Sequence, residues 1–225
     1  GIAPRENSLY PVIVRKESAV PEFIDLAFAP NYISYADAYE KQLEVHADVV
    51  SGKRPNTVLL LEHSSVYTAG KRTEAEELPM DGSEFVETNR GGKITWHGPG
   101  QLVGYAIMRL PQPIDVVNYV RWMEQVLIDV LESLGVKGQR VDGRTGVWFE
   151  TEAGFEKVAA IGIRVSEKVT MHGFALNCNN SLEPYEHIIA CGISDAKTTT
   201  LSKILGRDVT AVSYTHLTLP TNREV

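Results

Sequence analysis

The sequence predicts an α+β domain with mixed or antiparallel sheets and with helices segregated from the strands. Several short β-type runs follow one another along the chain, and turn residues separate them. Two amphipathic helical patterns stand well apart from each other, so strands and helices do not alternate as they do in βαβ units. The chain also lacks an internal repeat and a low-complexity linker, which favours one main domain.

The composition limits the class of protein. The chain has 225 residues, a formal net charge of −7 and 43% hydrophobic residues, which is enough for a core without cross-links. The acidic balance argues against a nucleic-acid surface, and no apolar run approaches the ~20 residues that cross a bilayer. Two cysteines cannot form a disulfide framework, and residues 1–11 lack the apolar core of a signal peptide. We therefore expect a cytoplasmic protein with no nucleic-acid or membrane partner.

The first half of the chain predicts two strands and one helix. Phe23–Phe28 is a β-type run, and Thr57–Glu62 is almost continuously apolar, as in a strand that is buried on both faces. Between these strands, Ser34 is a candidate N-cap and Gly52 a helix stop. Residues 73–88 are acidic and polar and predict a surface excursion. The apolar stripe of the helix is predicted at Tyr39, Leu43, His46, Ala47 and Val50.

The second half contains the clearest helical pattern. The strand Leu102–Leu110 precedes it, Asp115 is a good N-cap, and Gly135 lies at the expected C-terminal position. The apolar stripe of this helix is predicted at Val116, Val120, Met123, Leu127, Val130 and Leu134.

The remaining segments predict a hairpin, one more strand and two short helices. They are the strands Gly146–Glu150 and Lys157–Val165, which join through Glu152–Gly154, the strand Thr170–Cys178, a helix within Ser181–Ile189, and a helix within Ile193–Leu205 that is capped by Thr198 or Thr199 and ended by Gly206.

Arg90–Tyr105 is unusually rich in glycine. Glycines flank a β-type run, Lys93–His97, and glycine lets a ligand lie directly against the backbone. A pair of glycines on each side of a short strand suggests a wall against something long and thin, although two ordinary tight turns explain them equally well. The five glycines are Gly91, Gly92, Gly98, Gly100 and Gly104.

Cys191 is the better candidate of the two cysteines for a nucleophile. It precedes Gly192 just after a predicted helical turn, where a thiol is open to attack and backbone N–H groups are available. Cys178 ends a strand and has no glycine beside it. A working thiolate needs a cationic neighbour, and Lys157, at the start of a strand of small apolar residues, could supply one. Taken one at a time, these residues fit a structural role better, the cysteines as small buried hydrophobes and the lysine with its ammonium in water.

Histidines and cations mark the loops next to the predicted strands. His63 and His97 lie in the two glycine-bearing loops and are better active-site candidates than His46 on a helix face. Lys71 and Arg72 could pair with a phosphate or an acidic partner, or could simply be solvated. The histidines and cysteines show no metal-ligand spacing, and no Gly-rich phosphate loop of the Walker type is present. We expect neither a metal nor another cofactor.

Five segments together resemble the lipoyl (octanoyl) transferase family, and the resemblance is closest to its actinobacterial members. It covers about Phe23 to Leu205, and the longest of the motifs is specific. The segments are Leu61–Gly70 (LEHSSVYTAG), Arg90–Leu102 (RGGKITWHGPGQL), Lys157–Ile163 (KVAAIGI), His172–Asn177 (HGFALN) and Ala190–Ser194 (ACGIS).

The resemblance implies the fold of the biotin and lipoate protein ligase catalytic domain. It also implies an enzyme that moves an octanoyl or lipoyl group from acyl carrier protein to a lysine of a lipoyl domain. In the family a cysteine carries the acyl group and a lysine lowers its pKa, and these roles fall on Cys191 and Lys157. The implied substrate-binding residues are Arg90, Gly91, Gly92, Lys93, Ile94, Thr95, Trp96, His97, Ala160, Ile161, Gly162, Gly173, Phe174 and Ala175, with His63, Tyr67 and Arg72 from the preceding loop.

The implied partners are octanoyl-acyl carrier protein as donor, and as acceptors the lipoyl domains of 2-oxoacid dehydrogenase complexes and the glycine cleavage H protein. We expect the enzyme to be a monomer. Both protein substrates tend to be acidic, so an acidic enzyme needs a local basic rim. The candidates for that rim are Lys71, Arg72, Arg90 and Lys93.

The chain departs from the family near its end. We expect the catalytic domain to span residues 1–212, because residues 213–225 lack the amphipathic periodicity of a further helix and are typical of a foreign or frame-shifted segment. Three other functions fit the residues. They are a cysteine-dependent thioester hydrolase that uses Cys191 with His97 or His172, a non-catalytic module that binds carrier proteins, and an ATP-dependent ligase.

Overall fold

In the computed structural model of the protein, residues 20–189 and 197–215 are described. These residues form two sheets and three α-helices, with short 3₁₀ turns between them. The strands are β1 (Glu22–Ala27), β2 (Thr57–Leu61), β3 (Val66–Ala69), β4 (Phe85–Glu87), β5 (Thr95–His97), β6 (Gln101–Ile107), β7 (Gly138–Val141), β8 (Arg144–Thr151), β9 (Gly154–Ser166), β10 (Val169–Asn177) and β11 (Lys197–Thr198), and the helices are α1 (Tyr35–Val50), α2 (Val116–Ser133) and α3 (Leu201–Leu205).

The strands divide into a large mixed sheet and a small one. The large sheet has the order β1-β2-β6-β10-β9-β8-β7, and β11 pairs with β9 as an additional strand. Its pairs are antiparallel except β1 with β2 and β11 with β9. The small sheet has the order β4-β3-β5. Mixed sheets with separate helices confirm the predicted α+β class, and the tight turn between β8 and β9 confirms the predicted hairpin.

The large sheet is buried on both faces. On one face, Tyr119 and Leu127 of α2 belong to a cluster that includes Leu60. On the other face, Val45 of α1 belongs to a cluster that includes Leu59. All five residues of β2 are buried, which confirms the prediction from its continuous apolar run. Neighbouring residues of one strand point to opposite faces of a sheet, so such a run indicates two covered faces.

Helix α1 begins at the predicted cap, but its buried face is shifted. The Asp37 N–H donates to Ser34 Oγ over 3.1 Å, as expected for an N-cap. The predicted stripe is wrong at Leu43 and Ala47, which are exposed. The buried face of the helix lies one residue earlier in the chain than predicted. Gln42 belongs to this face, and its Oε1 accepts a hydrogen bond from a backbone N–H of β10. The buried residues are Tyr35, Ala38, Gln42, Val45, His46 and Val49.

Helix α2 also begins at the predicted residue. The Asn118 N–H donates to Asp115 Oδ1 over 2.9 Å. The predicted stripe is wrong at Val116, which is 42% exposed; Val120, Val130 and Leu134 are only half-buried. The buried face of α2 differs from the predicted stripe and includes the carboxylate of a glutamate. The buried residues of the helix are Tyr119, Met123, Glu124, Val126, Leu127 and Leu131.

The shorter elements differ in detail from their predictions. The helix within Ser181–Ile189 is a 3₁₀ helix at Glu183–His187. The last helix is capped by Thr200, whose Oγ1 accepts from the Lys203 N–H, and not by Thr198 or Thr199, which precede it as extended chain. Gly206 ends this helix as predicted. In the described part of the chain, no helix combines the length and the apolar character that a membrane span needs.

The end of the described chain packs against the core. Tyr214, two residues beyond the predicted domain boundary, is buried and belongs to the cluster under α2. The boundary at residue 212 stays a prediction.

Glu124 explains why α2 buries a charged residue. Its carboxylate accepts from the guanidinium groups of Arg121 (2.9 Å) and Arg140 (3.0 Å), and its other oxygen accepts from the Gly146 N–H (3.0 Å). A buried carboxylate is tolerated when charges and hydrogen bonds compensate its lost hydration. This residue therefore joins α2 to β7 and β8.

We predict that Glu124→Ala lowers the free energy of unfolding by about 1–3 kcal/mol, because it leaves the buried Gly146 N–H without its acceptor and removes the anionic partner of two partly exposed arginines. Urea denaturation measures the change. Glu132→Ala, at an exposed position on the same helix, is the control and should stay within about 0.5 kcal/mol of wild type. Equal stability of the two variants would show that the buried carboxylate contributes nothing.

Candidate active site

A cavity of about 700 Å³ lies against the large sheet. Its walls come from the loop before β5, from β6, from the first turns of α2, from the turn between β7 and β8, and from β8, β9 and β10. The lining residues are Tyr35, Arg72, Arg90, Gly91, Gly92, Lys93, Ile94, Thr95, His97, Tyr105, Val116, Val117, Val120, Arg121, Gly143, Arg144, Thr145, Trp148, Lys157, Ala160, Ile161, Gly162, Ile163, His172, Gly173, Phe174 and Ala175.

Arg90 anchors the loop that forms one wall. Its guanidinium donates to the carbonyl oxygens of Gly91 (3.0 Å) and Lys93 (2.9 Å), and to the carbonyl (2.7 Å) and hydroxyl (2.9 Å) oxygens of Thr68 on β3. Four acceptors around one guanidinium explain why a charged side chain is only 8% exposed. Arg90 therefore supports the wall from inside, and its predicted place in an exposed basic rim is wrong.

The same loop is tied to the large sheet through its backbone. The Gly91 N–H donates to the Ile163 carbonyl on β9 over 2.9 Å, and the Arg72 N–H donates to the Gly92 carbonyl over 3.0 Å. Gly92 has φ +87°, a conformation that residues with a Cβ rarely adopt. The loop thus lies between the two sheets and closes the cavity over Gly162.

Only two of the five glycines in this stretch line the cavity. A Cβ on Gly98 would lie 2.1 Å from the Trp96 ring, and a Cβ on Gly104 would lie 2.2 Å from the Phe174 ring. A Cβ on Gly100 would likewise lie 2.6 Å from the backbone of the turn that follows β10. These three glycines make room for the protein's own atoms, so the predicted glycine wall against a ligand reduces to Gly91 and Gly92.

Lys157 lies on β9 with its side chain inside the protein. The residue is 9% exposed, and its Nζ lies 4.8 Å from the centre of the Trp148 ring. An ammonium in that position is attracted by the face of the indole. The backbone of Lys157 pairs with Thr198 on β11, and its carbonyl accepts from the Thr199 N–H over 2.9 Å.

Only one of the two cysteines belongs to the described part of the chain. Cys191 lies outside the described residues. Cys178 is buried in the cluster under α2, and burial raises the pKa of its thiol to about 12. A thiol with this pKa is not ionised near neutral pH, which agrees with its interpretation as a small core residue.

The apolar part of the cavity lies on the central strands. Ala160 and Ile161 on β9 stand directly opposite Ala175 and Phe174 on β10. The Phe174 ring can lie over β6 because Gly104 has no side chain. Because neighbouring residues of a strand point to opposite faces, the Ile161–Phe174 pair lies on the face under α2 and the Ala160–Ala175 pair on the face under α1, and both pairs border the cavity. Apolar residues of this kind are suited to contact a hydrocarbon chain.

Three buried histidines form the polar part of the site. The rings of His63 and His97 are 5.7 Å apart, and Tyr105 lies between His63 and His172, with ring centres 5.8 Å and 6.2 Å away. His97, Tyr105 and His172 line the cavity, and His63 lies behind them. In residues 20–189 and 197–215, no three side chains of His, Cys, Asp or Glu come together as metal ligands.

The hydrogen bonds determine the tautomers of two of these histidines. His63 Nδ1 donates to the Ile33 carbonyl, so its Nε2 accepts from the Tyr105 hydroxyl over 2.6 Å. His97 Nδ1 donates to Gln101 Oε1 over 2.7 Å, since the amide nitrogen of Gln101 donates elsewhere. In the neutral form, each of the two rings therefore carries its proton on Nδ1, where an acceptor binds it.

Burial also keeps these rings uncharged. It lowers the pKa of His63 to about 4 and the pKa values of His97 and His172 to about 3. The positive charge of Arg90 lowers the pKa of His172 further. Near neutral pH these histidines are therefore uncharged, and they contribute hydrogen-bonding groups to the site.

Most predicted site residues meet at this one cavity. Three of the predicted site residues that the structure describes do not line the cavity, and the side chain of each is hydrogen-bonded within the protein. Trp96 Nε1 donates to Ser65 Oγ over 2.8 Å, the Tyr67 hydroxyl donates to the Pro184 carbonyl over 2.6 Å, and His63 supports Tyr105.

Sequence reasoning missed several lining residues. No motif or glycine cluster marked them, because they come from the first turns of α2 and from the start of β8, which only the tertiary fold brings to the cavity. These residues are Val116, Val117, Val120, Arg121, Arg144 and Thr145, with Tyr35 and Trp148 from elsewhere.

The comparison with known families decides the class of protein. The sequence profile of the lipoyl protein ligase A/B catalytic domain matches residues 34–218. The chain belongs to this family.

Close relatives are octanoyltransferases of actinobacteria. The chain is 53% identical over 204 residues to the octanoyltransferase of Clavibacter sepedonicus, with 88% of each chain covered. It is 57% identical over 180 residues to that of Leifsonia xyli subsp. xyli, covering 79% of this chain and 80% of the relative. These relatives confirm the predicted family and show that this member is an acyltransferase.

Solved structures of lipoate ligases share the fold. A bi-partite lipoate protein ligase from Thermoplasma acidophilum matches with a TM-score of 0.64 at 13% identity, covering 88% of this chain and 80% of that one. LipL1 of P. falciparum, solved in complex with lipoate, matches with a TM-score of 0.60 at 12% identity, covering 82% and 56%. The likeness confirms the predicted lipoate-ligase fold.

We predict that the free energy of unfolding falls as the pH drops from 7 to 5. The unfolded histidines take up protons near pH 6.5, whereas the folded ones stay neutral until about pH 4 or 3. Stability is therefore lost as the pH falls below the unfolded pKa, by up to about 2 kcal/mol for each buried histidine at pH 5. Urea denaturation at a series of pH values measures this loss.

His97→Gln should lose less stability over the same pH range than wild type does. The control is His187→Gln, because His187 is bonded to Glu183 at the surface and its pKa is raised; this variant should keep the full loss. If His97→Gln and wild type show the same pH dependence, burial of the neutral ring is not its cause.

Proposed function

We propose that this acyltransferase moves an octanoyl group from acyl carrier protein to a lysine of a lipoyl domain through a thioester on Cys191. The observation that carries the proposal is the position of Lys157. Lys157 is only 9% exposed and lines the same cavity as the apolar residues of β9 and β10. A cation beside apolar residues is the environment that an attacking thiolate needs.

The first step transfers the acyl group to the enzyme. The Cys191 thiolate attacks the carbonyl carbon of the carrier thioester, a new C–S bond forms, and the bond to the carrier sulfur breaks. The ammonium of Lys157 gives a proton to the departing thiolate, which leaves as a thiol. Exchange between thioesters is nearly balanced in energy, so the step needs no ATP.

The second step transfers the acyl group to the acceptor. The neutral amine of the incoming lysine attacks the Cys191 thioester, a C–N bond forms, and the bond to Cys191 Sγ breaks. Lys157, now a free amine, accepts the proton that the incoming nitrogen loses. The enzyme returns to its starting pair of thiolate and ammonium.

The length of the chain allows the proposed pairing. Cys191 precedes Lys197 by six residues, and six extended residues span at most about 20 Å. The chain from Lys197 onward runs along Lys157 on β9. The apolar side chains of Ile161 and Phe174 would surround the hydrocarbon chain, and the neutral histidines would supply hydrogen bonds without adding charge near the thiolate.

The relatives' name supports octanoyl as the acyl group. As acceptors we propose the lipoyl domains of 2-oxoacid dehydrogenase complexes and the glycine cleavage H protein, and we propose that the enzyme acts as a monomer. In the archaeal lipoylation system of Thermoplasma acidophilum, the bi-partite ligase goes together with its E2 lipoyl domain, which supports this class of acceptor.

We predict that the wild-type protein gains the mass of one octanoyl group after exposure to octanoyl-acyl carrier protein. Cys191→Ser should give no thioester adduct, because the nucleophilic sulfur is gone. Lys157→Met should form the adduct at least about 100-fold more slowly, because proton transfer contributes factors of this size. Intact-protein mass spectrometry measures all three.

Cys178→Ala is the matched control for Cys191→Ser. It should form the adduct at the wild-type rate, because the Cys178 thiol is buried and un-ionised, and should lose only about 1–2 kcal/mol of stability. An adduct on Cys178, or transfer by Cys191→Ser, would refute the proposed nucleophile. Release of free octanoate without transfer to a lipoyl domain would indicate a hydrolase.

A further inference from the structure

The charge of the cavity lining is opposite to that of the protein. The chain has a net charge of −7, yet the described lining residues include six lysines and arginines and no carboxylate. A cavity wall that carries charge of one sign attracts groups of the opposite charge and raises their local concentration. The six cations are Arg72, Arg90, Lys93, Arg121, Arg144 and Lys157.

Two of the three cations on the loop side of the cavity, Arg90 and Lys93, are engaged by groups of the protein, whereas Arg72 is exposed. The Arg90 guanidinium lies inside the protein and binds the carbonyls of its own loop. The Lys93 ammonium donates to Glu77 over 2.6 Å and lies 3.9 Å from Glu74. Because the carboxylates offset this charge, Lys93 is a weak candidate for binding an acidic partner, contrary to the predicted rim.

On the α2 side, the charged residues that line the cavity are Arg121 and Arg144; Asp115, the N-cap of α2, does not line it. Arg121 and Arg140 share the single carboxylate of Glu124. Arg144 lies with its guanidinium 5.7 Å from the centre of the Trp148 ring. Asp142, in the turn directly before β8, does not line the cavity. Arg121 keeps 42% of its side chain exposed, so it can reach a partner at the surface.

Exposed valines accompany these arginines. Val116 is 42% exposed and Val117 is 70% exposed, although both line the cavity. Val117 and Arg121 are four residues apart on α2 and therefore lie on the same face of the helix. Adjacent apolar side chains at a cavity rim, next to cations, are typical of an interaction surface.

We infer that Val116, Val117, Arg121 and Arg144 form the docking surface for the acyl carrier protein; this inference rests on the proposed function. The donor holds its acyl group on a phosphopantetheine arm, and guanidinium groups bind the phosphate of such an arm through paired hydrogen bonds. An acidic carrier surface complements the arginines, and its apolar residues complement the valines. The acceptor domains also tend to be acidic, so the phosphate of the donor's arm is the feature that favours the carrier at these arginines.

Two variants test the charged and apolar parts of this surface separately. Arg144→Glu should raise the KM for octanoyl-acyl carrier protein about tenfold at low ionic strength, and the effect should shrink in high salt because screening weakens exposed charge pairs. Val117→Gln should also raise the KM for the carrier, but without salt dependence. For both variants the KM for the lipoyl domain should equal that of wild type.

Matched controls come from the opposite side of the sheet. Lys53 has a 77% exposed side chain and Leu43 is 46% exposed on α1, and neither lines the cavity. Lys53→Glu and Leu43→Gln should leave the KM for the carrier unchanged. Calorimetric binding of the carrier with an unacylated arm gives a second readout, in which Arg144→Glu and Val117→Gln should bind about tenfold more weakly.

The outcomes separate this inference from the proposed function. A wild-type enzyme that transfers no octanoyl group from the carrier would refute the proposed function, and the binding measurement would still test the surface. Unchanged carrier KM and affinity in both variants would overturn the inference while transfer by wild type stands. A rise in the KM for the lipoyl domain alone would overturn it by assigning the surface to the acceptor.

Discussion

The guanidinium of Arg90 donates hydrogen bonds to Thr68 on the small sheet and to the carbonyls of its own loop, and the Gly91 N–H of that loop bonds to Ile163 on the large sheet. One side chain therefore holds a loop across the gap between two sheets. The cavity is the space under this loop. Since the guanidinium is always charged and these acceptors replace its hydration, the loop and the arginine stabilise each other.

This arrangement separates the chemistry of the site into regions. The central strands supply apolar residues, the histidines around Tyr105 supply uncharged hydrogen-bonding groups, and Lys157 supplies a cation next to Trp148. Keeping the histidines neutral matters because a further cation beside Arg90 would repel it and, in the proposed mechanism, would compete with Lys157 for the Cys191 thiolate. The proposed docking surface of Val116, Val117, Arg121 and Arg144 extends the positive charge of the cavity to the surface of the protein, where a partner protein can reach it.

The fold class could be predicted from local signals in the sequence, and most of the residues that line the cavity were predicted from the family resemblance, whose motifs contain them. Continuous apolar runs revealed β2, and cap residues revealed the starts of α1 and α2. The buried faces of the helices were predicted less well because polar partners decided them. Gln42 and Glu124 are buried through hydrogen bonds to distant strands, which no periodicity reports. The inward position of Arg90 and the exposed valines of α2 likewise depend on tertiary contacts.

A titration of the Cys191 thiol tests most directly whether Lys157 ionises it, on which the proposed mechanism depends. The measurement is the rate of Cys191 alkylation against pH, followed by peptide mass spectrometry in wild type and in Lys157→Met. We expect a wild-type midpoint below the ordinary thiol pKa of about 8.5 and an upward shift of at least about one unit in the variant. Identical profiles for the two proteins would contradict the proposed role of Lys157.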